Sequence, residues 1–167
     1  MKKEVLIAFL LVIGIGSAAG QTEGFSYPHD PHVPAQYGLF NFGQDGGTPN
    51  TGLGAPLVWP YVTDCRSVRI GVIDSGLDVL HPDIFDNLGF NLAEVTDYPN
   101  GLDEDGNGYV DDLFGWNFVD NNEFPLDDYG HGTAVAGVIG AVGNNGIGVS
   151  RVCWRATLIP IKVNDLA

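Results

Sequence analysis

The sequence predicts an α/β fold, a doubly wound parallel sheet with helices on its faces. Three stretches predict it. Residues 68–73 are a short β-branched run that ends in turn residues, the pattern of a buried strand. From Gly132 onward, Val135, Val138, Ile139 and Val142 recur at the spacing of one helical face, with Ala136, Gly137, Gly140 and Ala141 opposite. Residues 157–163 then return to a strand pattern. Strand, helix and strand in succession imply a parallel sheet packed against helices.

In chain order, residues 1–20 read as a secretory signal peptide. Lys2 and Lys3 open it, residues 5–16 form an apolar core too short to span a membrane comfortably, and Ser17-Ala18-Ala19-Gly20 is a small-residue cleavage region. An N-terminal membrane anchor is the alternative. Residues 21–54 form an N-terminal arm rich in Gly, Pro, Asn and His, expected to lie irregularly over a surface. The main domain would occupy 55–167. Residues 55–61 fit a short helix with Pro56 in its first turn. The first strand ends in Asp74-Ser75-Gly76. A carboxylate at the carboxyl end of a buried strand is where open α/β sheets place their chemistry, although Asp74 also reads as a turn or capping acid.

Residues 87–112 are an acidic insertion, and 114–119 a second strand. After the Gly132 helix come a loop at 143–149 and the last strand, in which Pro160 is a demerit because it cannot donate to a ladder. The sequence stops at Ala167, directly after that strand. A doubly wound domain should continue, so a C-terminally truncated domain is expected.

Composition narrows the function. Hydrophobic content of 44% can bury a core, and the net charge of −14 argues against nucleic acid or an anionic membrane surface as partners. The acidic excess is compatible with cation binding. Cys65 and Cys153 could pair in an exported protein, or remain two buried thiols.

The stretch with most chemistry is Asp127-Asp128-Tyr129-Gly130-His131-Gly132-Thr133. His131 stands at a helix N-terminus, where the dipole disfavours imidazolium. A neutral imidazole held by a carboxylate is what a general base needs; a capping histidine is the plainer reading.

Val72-Ile73-Asp74-Ser75-Gly76-Leu77-Asp78, with His81-Pro82-Asp83, and the His131 helix closely resemble the Asp and His blocks of the subtilisin-like serine proteases, the subtilases. Asn144-Asn145-Gly146-Ile147-Gly148-Val149 and Ile159-Pro160-Ile161-Lys162-Val163 agree as well. The resemblance implies a three-layer, subtilisin-like sheet and an Asp–His–Ser triad in that chain order. Asp74 matches the aspartate and His131 the histidine. The mechanism implied is acyl transfer: Asp74 orients His131, which takes the proton of a serine hydroxyl as it attacks the peptide carbonyl. Ser75 does not match the nucleophile. The family's serine, in a Gly-Thr-Ser motif, and its oxyanion-hole asparagine have no counterpart before Ala167. The stretch before Asp74 also leaves no room for an inhibitory prodomain.

The expected activity is therefore that of a secreted serine endopeptidase acting on protein or peptide substrates as a monomer. The 167 residues would be an inactive fragment of it. The alternative is a non-catalytic, calcium-stabilised secreted domain.

Structural calcium is the expected cofactor. Residues 103–112 resemble an EF-hand loop. Asp103, Asp105, Asn107 and Asp111 fall at its first, third, fifth and ninth positions and Tyr109 at its backbone position, but the twelfth is Phe114 rather than a bidentate Glu. The family resemblance implies a tight calcium site from Asp30, Asp83, Gly143, Asn145, Ile147 and Val149. It implies a second site from Asn117, Asn122, Phe124 and Leu126. A zinc reading of His29 and His32 is disfavoured.

Overall fold

The computed structural model describes residues 27–165; the signal-peptide segment 1–20 lies outside them. Three strands, β1 (Asp64–Asp74), β2 (Trp116–Asn117) and β3 (Arg155–Lys162), form one sheet in the order β1-β3-β2, parallel throughout. Among the described residues one α-helix, α1 (His131–Gly140), packs on it, and the others form loops and 3-10 turns. Among the described residues, no helix is long and apolar enough to cross a membrane.

The sheet is smaller than the residues suggested. The expected strand at 114–119 pairs as a ladder only at Trp116–Asn117, with Gly115 at φ +134 before it and the Phe118 N–H making one last bond to the Lys162 carbonyl at 2.8 Å. The expected helix at 55–61 is a 3-10 turn at Ala55–Leu57, followed by further turns. β3 tolerates Pro160 for a local reason. Its carbonyl faces Gly115, so its nitrogen points to the β2 side, and β2 pairs only from Ile161 onward.

One expectation about burial needs correction. β1 is not buried on both faces. Its α1-facing Val72 is buried, while Ile73 on the other side is exposed, because the one helix covers a single face of an edge strand; Val68, nearer the strand's start, is exposed as well. In α1 the small residues, not the valines, make the deepest contact. Ala136 and Gly140 are buried against the sheet, and Val138 is exposed. A Cβ on Gly140 would lie 2.9 Å from Leu158 Cδ2, so glycine is what lets the helix sit down on β3. The core between them is Val72, Leu77, Val79, Ile84, Leu88, Ala136 and Leu158.

A second cluster of Leu39, Ala55 and Trp59, with Trp154 against it, fixes the N-terminal arm. The indole N–H of Trp59 donates to the carbonyls of Arg151 and Val152. Cys65 and Cys153 form a disulfide across 88 residues, with Cα atoms 5.9 Å apart, so the free-thiol alternative is set aside. It ties the start of β1 to the segment entering β3.

Candidate active site

Asp74 is the last residue of β1 and His131 the first of α1. Their meeting depends on two glycines. Gly76 has φ +108, and a Cβ there would lie 2.5 Å from the Leu126 carbonyl oxygen. A Cβ on Gly132 would collide with the Gly76 carbonyl and lie 3.2 Å from Asp74 Cβ. With neither Cβ present, strand end and helix start touch. His131 Nδ1 then lies 2.7 Å from Asp74 Oδ1.

Asp74 Oδ1 also accepts the Ser75 backbone N–H at 2.8 Å. Burial pushes the Asp74 carboxyl up. The bonds from His131 and Ser75 outweigh it, so the group stays below the ordinary carboxylate value. The Asp74 side chain is 15% exposed and that of His131 57%. An imidazole that donates Nδ1–H to the carboxylate presents a bare, solvent-accessible Nε2, the acceptor a general base requires.

The helix start is held by a residue to which the sequence assigned no role. Asp127 accepts Thr133 Oγ1 at 2.6 Å, Thr133 N–H at 2.8 Å, Ser75 Oγ at 2.8 Å and Gly130 N–H at 2.9 Å. Burial acts against its charge, but these donors hold its carboxyl far below the usual range. An acid just before a helix start is a capping signal that could have pointed to it. Lys162 was missed as well. It is buried in β3, and its Nζ reaches Asp165 at 2.8 Å, Asp128 at 2.9 Å and the Leu126 carbonyl at 3.1 Å. It thus ties the loop before His131 to the sheet.

The arm and the 143–149 loop also meet. Asp30 is buried and accepts the N–H groups of Asn144, Asn145 and Gly146 at 2.7, 2.9 and 2.9 Å. Asp83, also buried, accepts from Asn145 Nδ2 at 2.9 Å and Val149 N–H at 3.1 Å. Asn145 bridges the two carboxylates. A Cβ on Gly148 would strike Asp83 Oδ2, so the cradle is built for glycine. Two buried carboxylates and an amide are hard oxygen donors, the set a calcium ion takes, with the carbonyls of Gly143, Ile147 and Val149 on the same loop.

In the acidic insertion, Asp103 and Asp105 converge with Glu94, which the sequence did not single out. Asp111 is turned to the backbone, accepting from Asn100 and Gly101 at 2.9 and 2.8 Å. Asn107 donates to Asp112, and the Tyr109 ring packs tilted against Trp116, with centroids 4.9 Å apart. Asn117 and Asn122 pair with each other and spend their side chains on their own turn, Asn117 Oδ1 on Val119 and Asp120 and Asn122 Oδ1 on Phe124.

Comparison with known proteins places this geometry. The pattern of the Subtilase family matches residues 66–167, more than half of the chain. Subtilisin-like protease 1 of Plasmodium falciparum (isolate 3D7) is 52% identical over 99 residues, which are 59% of this chain and 14% of that protein. Neuroendocrine convertase 2 of Homo sapiens is 30% identical over 137 residues, 82% of this chain and 19% of that one. The chain thus spans under a fifth of the length of these curated relatives. The crystal structure of the serine protease of Aeromonas sobria superposes with a TM-score of 0.65 at 27% identity, covering 87% of this chain and 22% of that chain. These structural neighbours have the subtilisin-like α/β fold that the sequence predicts.

Proposed function

We infer, because the chain belongs to the subtilase family, that it supplies the aspartate and histidine of a serine endopeptidase site. The observation that carries this reading is the 2.7 Å contact between Asp74 Oδ1 and His131 Nδ1, made where a strand end meets a helix start. Asp74 holds the imidazole with its proton on Nδ1. His131 Nε2 removes the proton of a serine hydroxyl, which adds to the scissile carbonyl, and then returns that proton to the leaving amine. Asp74 stabilises the imidazolium formed in between.

Ser75 is not that nucleophile. Its hydroxyl is buried and committed, donating to Asp127 and accepting from Gly132. By the family pattern the serine comes from a Gly-Thr-Ser motif and the oxyanion-hole asparagine from a stretch between histidine and serine, and neither is among these 167 residues. The 167 residues alone hydrolyse nothing, since oxyanion stabilisation and nucleophile carry most of the rate enhancement. Peptides are the substrate class, and the protein works outside the cytosol, where the Cys65–Cys153 disulfide persists. Calcium held by Asp30, Asp83, Asn145 and the 143–149 carbonyls would tie the arm to the loop that follows α1.

The test is labelling of the protein translated from the gene's full reading frame by a fluorophosphonate probe, with peptide hydrolysis measured in parallel. The expected result is covalent capture at a serine other than Ser75, and a loss of ~10²–10⁴-fold in kcat in His131→Ala. Capture at Ser75, or a His131→Ala variant of undiminished kcat, overturns the reading.

A further inference from the structure

Arg151 is a cation that the dyad does not use. It is half-buried, in the segment between the 143–149 loop and β3. Its Nε donates to the carbonyl of Gly137 in α1, which fixes the plane of the guanidinium. Among the described residues its two Nη groups have no acceptor, and no carboxylate closes an ion pair with it. Burial pushes the guanidinium below its ordinary value, and the attraction of Asp83 offsets this only in part. The Asp83 oxygens are engaged elsewhere, by Asn145 Nδ2 and the Val149 N–H.

Arg151 lines an open cleft of about 350 Å³. Ala134 and Gly137 line it from α1, and a Cβ at Gly137 would meet nothing within 4 Å, so small residues keep the space open. Thr133 lines it too, on the first turn of the helix that His131 opens. His81 stands in the same cleft. Its Nδ1 accepts the Asp83 N–H at 3.2 Å, so the neutral ring carries its proton on Nε2. That N–H has no acceptor among the described residues either. Two sets of free nitrogen donors therefore share one cleft beside the dyad, in a chain whose net charge is −14.

We propose that this cleft binds the carboxylate of a peptide, with Arg151 as its anchor and His81 Nε2 as a second donor. A planar guanidinium presents paired N–H groups that match the two oxygens of a carboxylate. Held half-buried, it gains more from that pairing than it would in water. A cation that has lost part of its hydration without gaining an ion pair is what such a ligand compensates. The choice of a peptide as bearer rests on the reading of the chain as part of an endopeptidase, because each hydrolysis leaves a peptide with a new carboxylate.

The test is calorimetric titration of the protein translated from the gene's full reading frame, carrying His131→Ala so that no probe is cleaved. The probes are acetyl-tetraalanine with a free C-terminal carboxylate, its C-terminal amide, and the same amide with one alanine replaced by glutamate. The free acid, the glutamate peptide or both should bind, and the neutral amide should not; which of them binds separates a terminal from a side-chain carboxylate. Arg151→Gln, which keeps a donor for the Gly137 carbonyl, should weaken that binding at least about tenfold, the scale of a hydrogen bond to a charged group. Ala134→Leu, at an exposed helix position, should block it by filling the cleft while the fold stays intact. No binding of either carboxylate peptide, equal binding of the neutral amide, or unchanged affinity in Arg151→Gln would overturn the proposal and leave Arg151 as a cap on α1. If Arg151→Gln does not fold, Ala134→Leu decides, and unchanged affinity there is equally fatal. Binding is read without cleavage, so its failure and a failure of catalysis are told apart.

Discussion

Ser75 Oγ bridges Asp127 and Gly132: it donates to Asp127 Oδ1 at 2.8 Å and accepts the Gly132 N–H at 3.0 Å. The residue after Asp74 is thereby bound to the residue after His131. Strand end and helix start are clamped together beside the dyad rather than through it. Ser75→Ala should cost about 1–3 kcal/mol of folding stability, because it leaves a buried N–H without an acceptor. The variant should stay folded, and in the complete protein it should take up fluorophosphonate as the wild type does. Chemical denaturation and probe labelling check both halves.

The folded state holds Asp127 below its ordinary value, with burial opposing and the bonds from Thr133, Gly130 and Ser75 prevailing. A carboxylate depressed on folding contributes stability above its unfolded pKa, about 3.9. That contribution is lost as pH falls through the folded value. Stability should therefore fall on acidification below about pH 4. Asp127→Asn should be less stable at pH 7 and lose less over the same acid range. Urea midpoints at a series of pH values measure it, and parallel curves for the two proteins would refute the assignment.

Gly132 and Gly137 share a helix and should respond oppositely to alanine. At Gly132 a Cβ meets the Gly76 carbonyl. Gly132→Ala must push α1 off β1, at a cost of about 3 kcal/mol or more, the scale of overpacking with backbone shift. At Gly137 a Cβ meets nothing within 4 Å. Gly137→Ala should raise stability by about 0.5–1 kcal/mol through helix propensity alone. Thermal melts of the two variants distinguish the cases.

Calcium at the arm–loop cradle would bind only the folded form and raise the melting temperature. Saturation a hundredfold above Kd adds about 2.7 kcal/mol. Asp83→Asn should narrow the gap between melts in calcium and in EDTA, whatever it does to stability in EDTA, because Asp83 faces both Asn145 and Val149. An unchanged gap at matched ionic strength would remove calcium from that cradle.

The sequence by itself determined the parts that repeat or follow local rules. The β-branched run before Asp74, the helix opening at His131 and the strand after it required only periodicity and turn residues. Their order dictated a parallel sheet. What local rules could not supply is which surfaces close on one another. The valine stripe of α1 is its most apolar face, yet Gly140 and Ala136 take the contact with Leu158, since the distance of approach is set by the smallest side chains. Phe114 at the twelfth loop position is readable in the chain. That Glu94 converges on Asp103 and Asp105 is not, for no spacing rule links a 3-10 turn to a loop that folds back over it. Asp127, Lys162 and Ser75 support the dyad through bonds to residues far away in sequence, and only the tertiary structure decides those bonds, because a hydrogen bond exists only where folding has brought donor and acceptor together.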